Sequence, residues 1–220
     1  MARGIQRLFS EDDRAAIRAA TGAAEERTSG EIVPYVVERC DPYEEAGWKL
    51  ATLGGLTAAV FSGLIHYQGA FWGGLGVLWV TLPVVAAAIV GYLLPLWIPS
   101  LRRRLISSDV IERRVAQRAV EAFVEEEVFA TRDRTGVLIF LALFEHQVVV
   151  LGDSGINAQV EPGDWSGIAA RLAVGIRQGR AAEALIEAID AVGELLEEKG
   201  VAIQPDDEDE LSDHLRVRDD

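Results

Sequence analysis

Three acidic residues, Glu31, Asp133 and Asp153, stand beside glycine-containing turns at the ends of apolar runs. Carboxylates on flexible turns suit a hard divalent cation such as calcium or magnesium, which takes several oxygen ligands. The same residues also suit ordinary turn chemistry. Asp153 would then be a helix cap or turn acid, Asp133 a partner of Arg132 or Arg134, and Glu31 a solvated acid. A second set comprises Asp41, Glu45, Glu145 and His146. Here His146 could act as a general base beside Glu145, although a histidine in a hairpin turn is also at home in water. Cys40 is the sole cysteine, which excludes a disulfide-stapled scaffold. No nucleophile–histidine–acid order, phosphate-binding loop, zinc-ligand spacing or dinucleotide fingerprint is present.

These residues need elements to place them. Ser10 is positioned to cap a helix that opens with Glu11-Asp12-Asp13 and runs to about Arg27, with Ile17, Ala20 and Ala24 on its apolar face. Thr28-Ser29-Gly30 ends it, and Glu31–Glu38 (EIVPYVVE) reads as a strand. Pro34 removes a backbone donor there, which predicts an edge position or a bulge. A second helix is expected from Asp109 to about Ala130, its Glu125-Glu126-Glu127 run on a solvated face. Val137–Leu143 (VLIFLAL) and Gln147–Leu151 (QVVVL) are strands close enough to form a hairpin. Two more helices follow, Pro162 to about Gln178, anchored by Trp165, and Arg180 to about Lys199.

A helix joins the first two strands, so they should be parallel, and the third should run antiparallel to the second. That order gathers Glu31, Asp133 and Asp153 at one edge of a small mixed sheet. Asp41, Glu45, Glu145 and His146 fall at the other.

Between the first strand and the second helix lies the strongest feature of the chain. Leu50–Leu101 contains no Asp, Glu, Lys or Arg over 52 residues. This is room for two spanning helices, one from about Trp48 to His66 and one within Ala70–Ile98, separated by His66-Tyr67-Gln68-Gly69. Trp48 and Trp97 fall at one end of this hairpin, Tyr67 and Trp72 at the other, as interfacial aromatics do. Lys49 precedes the hairpin and Arg102-Arg103-Arg104 follow it, whereas its turn is uncharged. Positive charge stays on the cytoplasmic side. The expectation is a two-helix protein of the inner (plasma) membrane with both termini cytoplasmic, and the opening residues MARGIQRLFSEDD hold no apolar stretch of signal-peptide length.

Net charge is −14, which disfavours nucleic acid as a partner. Pro205–Asp220 carries eight acids and two arginines, and reads as disordered. The organisation expected is an α/β domain in two parts, residues 10–47 and 105–203, interrupted by a transmembrane hairpin at 48–99. An acidic tail spans 204–220.

The ordered sequence Thr28-Ser29-Gly30-Glu31-Ile32, Thr135-Gly136-Val137-Leu138-Ile139, Glu145–Asp153, Gly155-Ile156 and Trp165 resembles the TPM-domain family of thylakoid-lumen and related membrane-associated proteins. The resemblance covers about residues 10–40 and 107–200. It implies an α/β/α sandwich, calcium binding in some members and weak acid-phosphatase activity in some. Plant members are linked to photosystem repair. The better-known members are usually exported, with any anchor at a terminus, whereas here the membrane segment interrupts the domain.

Two functions follow as expectations. One is a membrane-anchored scaffold or accessory factor for membrane-protein assembly or quality control. Its partners would be the bilayer, a membrane protein and, through the spanning helices, further copies of itself. The alternative is a phosphatase-like hydrolase dependent on calcium or magnesium, with Glu31, Asp133 and Asp153 as ligands. No convincing catalytic constellation supports an enzyme.

Overall fold

The computed structural model describes residues 8–69, 77–201 and 210–218. The chain divides into two compact units, one built from the residues up to Asp41 and from Glu112 onward, the other spanning Pro42–Ile111.

The first unit opens with helix α1 (Glu11–Glu25). Ser10 Oγ accepts the Asp13 N–H at 3.1 Å, and the Asp13 carboxylate accepts the Ser10 N–H at 2.9 Å. This reciprocal capping box satisfies two donors that a helix start otherwise leaves open. The Ser10 hydroxyl, which donates to the Asp13 carboxylate at 2.7 Å, and then the Ser10 N–H hold that carboxyl below its usual range. Strand β1 (Glu31–Val37) follows and is buried at every residue. After the apolar segment come strands β2 (Gly136–Ala142) and β3 (Gln147–Gly152). A fourth strand, β4 (Arg216–Arg218), comes from the C-terminal segment. The order across the sheet is β3-β2-β1-β4.

The predicted directions hold. β1 pairs parallel with β2 in the register Glu31↔Gly136 to Val37↔Ala142, and β2 pairs antiparallel with β3. Two expectations are corrected. β1 is an interior strand, because β4 pairs parallel with Tyr35–Val37. Pro34 is accommodated without a bulge for a reason visible in the ladder. Ile32 N–H donates to Glu25 and Glu38 N–H donates to Arg218, both away from β2. Pro34 shares their side, where pairing with β4 begins only at the next residue. Its missing N–H therefore breaks no ladder bond. The expectation of disorder throughout Pro205–Asp220 also fails for residues 210–218, which enter the sheet and its rim.

Helices cover both faces, the α/β/α layering expected. On one face Ile32, Val36, Val137, Ile139 and Leu141 pack in a single core with α1, α7 (Pro162–Arg177) and α8 (Ala181–Glu198). Trp165, Ile168 and Leu172 of α7 join it, as do Leu185, Ile189, Val192 and Leu196 of α8. On the other face the neighbouring Tyr35 and Phe140 rings stack at 5.5 Å. Helix α5 (Ser108–Glu125) reaches that face through Arg118, which donates to Tyr35 Oη at 3.0 Å. A helix on each face explains why every residue of β1 and β2 is buried. The helix predicted to about Ala130 stops at Glu125, and Glu127 takes φ of 52°.

The second unit holds helices α2 (Glu45–Tyr67) and α3 (Leu78–Trp97), followed by the short α4 (Pro99–Leu105). Both α2 and α3 are long and apolar enough to cross a membrane, and only 17% and 6% of their apolar windows are buried. A soluble core helix would be mostly buried, so their outward apolar faces suit lipid. The two pack closely. A Cβ at Gly91 would lie 2.5 Å from the Leu50 carbonyl oxygen, and one at Gly54 would lie 2.9 Å from that of Ala87. Trp48 packs edge-on against Tyr92 at 5.1 Å. The predicted interfacial Trp72 and the start of the second span at Ala70 lie outside the described residues.

Candidate functional site

The three predicted acids do come to one edge of the sheet. Glu31 starts β1 and Gly136, its register partner, starts β2, immediately after the turn that holds Asp133. Gly152 ends β3 opposite Val137, which delivers Asp153 to the same edge.

Each acid there is engaged by the protein itself. Glu31 is buried rather than solvated, and its two carboxylate oxygens accept the backbone N–H groups of Glu210 and Leu211 at 3.3 and 3.2 Å. Asp153 caps the short helix α6 (Ser154–Asn157), accepting the Ser154 N–H at 2.6 Å. Its other oxygen lies 2.9 Å from Arg134 Nε. Asp133 lies 3.6 Å from Arg132 Nε. The turn carrying Asp133 and the start of α6 press together so tightly that a Cβ at Gly155 would lie 2.3 Å from the Asp133 carbonyl oxygen.

Among the described residues, no group of three His, Cys, Asp or Glu is arranged to hold a metal ion. As arranged, Glu31, Asp133 and Asp153 do not fit a cation site. Their oxygens face N–H groups and guanidinium ions, the partners a cation would have to displace.

At the opposite edge Glu145 is buried, and its carboxylate accepts the Cys40 N–H at 2.9 Å. This ties the end of β1 to the β2–β3 turn. Asp41 pairs with Arg114 of α5. His146 takes φ of 53° in that turn, the left-handed conformation that lets the strands reverse. Glu45 belongs to the other unit, at the start of α2. Glu145 and His146 thus act visibly on the backbone, in closing the hairpin.

The interactions that sequence reasoning missed come from the C-terminal segment. Glu210 accepts the Arg132 N–H with both carboxylate oxygens, at 3.1 and 2.9 Å. Glu126, expected on a solvated face, receives Arg216 Nε and Arg218 Nη2, each at 3.1 Å. The hydrogen bond to Glu126 raises the Arg218 pKa. A signal existed in the alternation Leu215-Arg216-Val217-Arg218, the period of a half-buried strand. The surrounding acids masked it.

Residues 104–195 match the model of the TPM domain. The chain carries a TPM domain. In this TPM-domain chain the match runs from the residues after the apolar hairpin through most of α8. It leaves α1, β1 and β4 outside, although β1 and β4 complete the sheet. The NMR structure of the BA42 protein from the psychrophilic bacterium Bizionia argentinensis is similar, with a TM-score of 0.57 and 19% identity. The alignment covers 96% of this chain and 95% of that one. At this identity the likeness establishes a shared fold. No curated protein matches.

Proposed function

We propose that this TPM-domain chain is a membrane-anchored scaffold or accessory factor for membrane partners, acting in membrane-protein assembly or quality control. One observation carries the reading: the apolar hairpin lies between β1 and β2, neighbouring strands of one sheet. A domain inserted this way is tethered by two chain connections rather than one, which restrains its reorientation at the bilayer. Such restraint serves recognition of a partner in the same membrane more directly than turnover of a soluble substrate. The basic run Arg102-Arg103-Arg104, beside an uncharged hairpin turn, supports a cytoplasmic position for the domain at the plasma membrane.

The deciding experiment is crosslinking in intact membranes followed by capture in mild detergent. It compares the native chain with one whose hairpin is replaced by an unrelated two-helix hairpin of equal length. A partner retained by both would be read by the domain. A partner lost with the native hairpin would be read by the helices. Absence of any reproducible membrane partner from both would overturn the reading.

The alternative of a metal-dependent hydrolase is addressed by calorimetric titration with Ca²⁺ and Mg²⁺ on the detergent-solubilised protein, with a generic phosphoester assayed alongside. Saturable heat and turnover, both lost on Asp153→Asn, would favour the hydrolase over the scaffold.

A further inference from the structure

The C-terminal segment is bound to the domain as a ligand would be. Its backbone N–H groups at Glu210 and Leu211 meet the buried Glu31 carboxylate. Its last strand pairs with Tyr35–Val37, and Arg218 O accepts the Glu38 N–H at 3.3 Å. Its two arginines converge on a single half-buried acid, Glu126. The groove between the β1 edge and Glu126 therefore reads an extended strand with arginines two residues apart. Backbone pairing supplies affinity, and a shared carboxylate supplies selectivity.

The strand that fills the groove is weakly held. It is three residues long, and between Glu210 and Arg218 only Leu215 and Arg216 are buried. Short edge strands with few apolar contacts open at a free energy well below that of global unfolding. Residues 202–209 join Val201, three residues past the end of α8, to this segment, and eight residues reach at most about 28 Å. Confinement to a membrane raises the effective concentration of one copy beside another.

We infer that residues 210–218 exchange between copies of this chain, each segment filling the β1 groove of its neighbour to form a strand-swapped dimer. The exchanged state reproduces every contact of the unexchanged one, so its cost is confined to association and to the connecting residues. The inference rests on the sheet edge and takes from the proposed function only the membrane anchoring.

The test uses charge reversal in the full-length, membrane-reconstituted protein. Glu126→Arg makes the groove repel its own segment. Arg216→Glu with Arg218→Glu makes the segment repel its own groove. Each variant sets like charges against each other in its own groove, whereas a mixture restores both opposite-charge pairings, but only across copies. With the two variants on different affinity tags, exchange predicts that the mixture co-purifies several-fold more than either variant with itself. It also predicts that a chain carrying all three substitutions behaves as wild type. Equal co-purification from mixed and unmixed samples, with circular dichroism showing folded protein, overturns the proposal.

Hydrogen exchange on the wild type covers the case in which a variant does not fold. The Glu38 amide should exchange on the order of a hundredfold faster than the amides pairing β1 with β2. Exchange of both sets in step would mean that β4 leaves only on global unfolding, and would also overturn the proposal.

Discussion

Glu31 illustrates how one side chain changes meaning between sequence and structure. At the mouth of a strand beside Gly30 it has the look of a metal ligand or a solvated acid. In the fold it is buried and holds two backbone N–H groups of a segment 179 and 180 residues away in sequence. A carboxylate so placed acts as a clasp. Gly155 is constrained as sharply, since any side chain there would enter the Asp133 carbonyl. Gly155→Ala is therefore expected to destabilise the domain by about 2 kcal/mol or more through overpacking, read as a lowered thermal midpoint. Asp164 carries a pH dependence. Lys199 Nζ lies 2.7 Å from its carboxylate, and that hydrogen bond, helped by the Glu161 N–H, lowers its pKa from the ordinary 3.8. A lowered folded-state value means that the contribution is complete above the ordinary range and is lost as pH falls through the lowered value. Asp164→Asn should lower the melting temperature at neutral pH, and the gap to wild type should close progressively below 3.8. A gap that persists unchanged in acid would remove the Lys199 pair as its cause.

At the scale of elements, the local patterns were mostly legible. Ser10 and the three acids after it announce α1 because the cap and the helix dipole act within one turn. The unbroken apolar run of β2 announces burial on both faces, and both are buried. Interior placement of β1 was not legible. The missing donor at Pro34 argues for an edge, and only the short span of β4 reconciles the two. The end of α5 also lay beyond the pattern, because apolar spacing continues past Glu125 into Val128 and Phe129 while Glu127 turns left-handed. Within the apolar unit, Gly54 and Gly91 permit the close approach of α2 and α3. Gly91→Leu is expected to separate these helices at the Leu50 carbonyl and to lower the thermal stability of the detergent-solubilised hairpin. Val90→Leu, at an exposed position, is the matched control and should leave it unchanged.

At the scale of the whole molecule, the apolar hairpin divides one sheet in sequence without dividing it in space. β1 lies before the hairpin and β2, β3 and β4 after it. A fragment of residues 112–220 should therefore fail to fold alone, because both β2 and β4 lose the strand that lies between them. Far-ultraviolet circular dichroism and dispersed amide resonances are the readouts, and co-expression with residues 1–41 should restore both. Topology is tested on the intact chain. Protease added to spheroplasts should spare both long segments, and should cleave them once the membrane is permeabilised. Digestion in intact spheroplasts would reverse the proposed orientation.

Short-range and compositional physics determined what the sequence announced by itself. Fifty-two residues without a charge mark two helices long and apolar enough to cross a membrane, because burying charge in hydrocarbon is costly. Strand direction followed from the connections, because a parallel pair needs a long crossover and a hairpin does not. Tertiary structure alone decided the fate of the acids and of the C-terminal segment. Composition reads Pro205–Asp220 as disordered because it sums charge along the chain. The fold instead pairs Arg216 and Arg218 with Glu126, and the Glu210 and Leu211 amides with Glu31, across more than eighty residues of sequence. Those contacts become favourable only once the sheet has built the groove that holds them. A local reading of charge and spacing has no access to that condition.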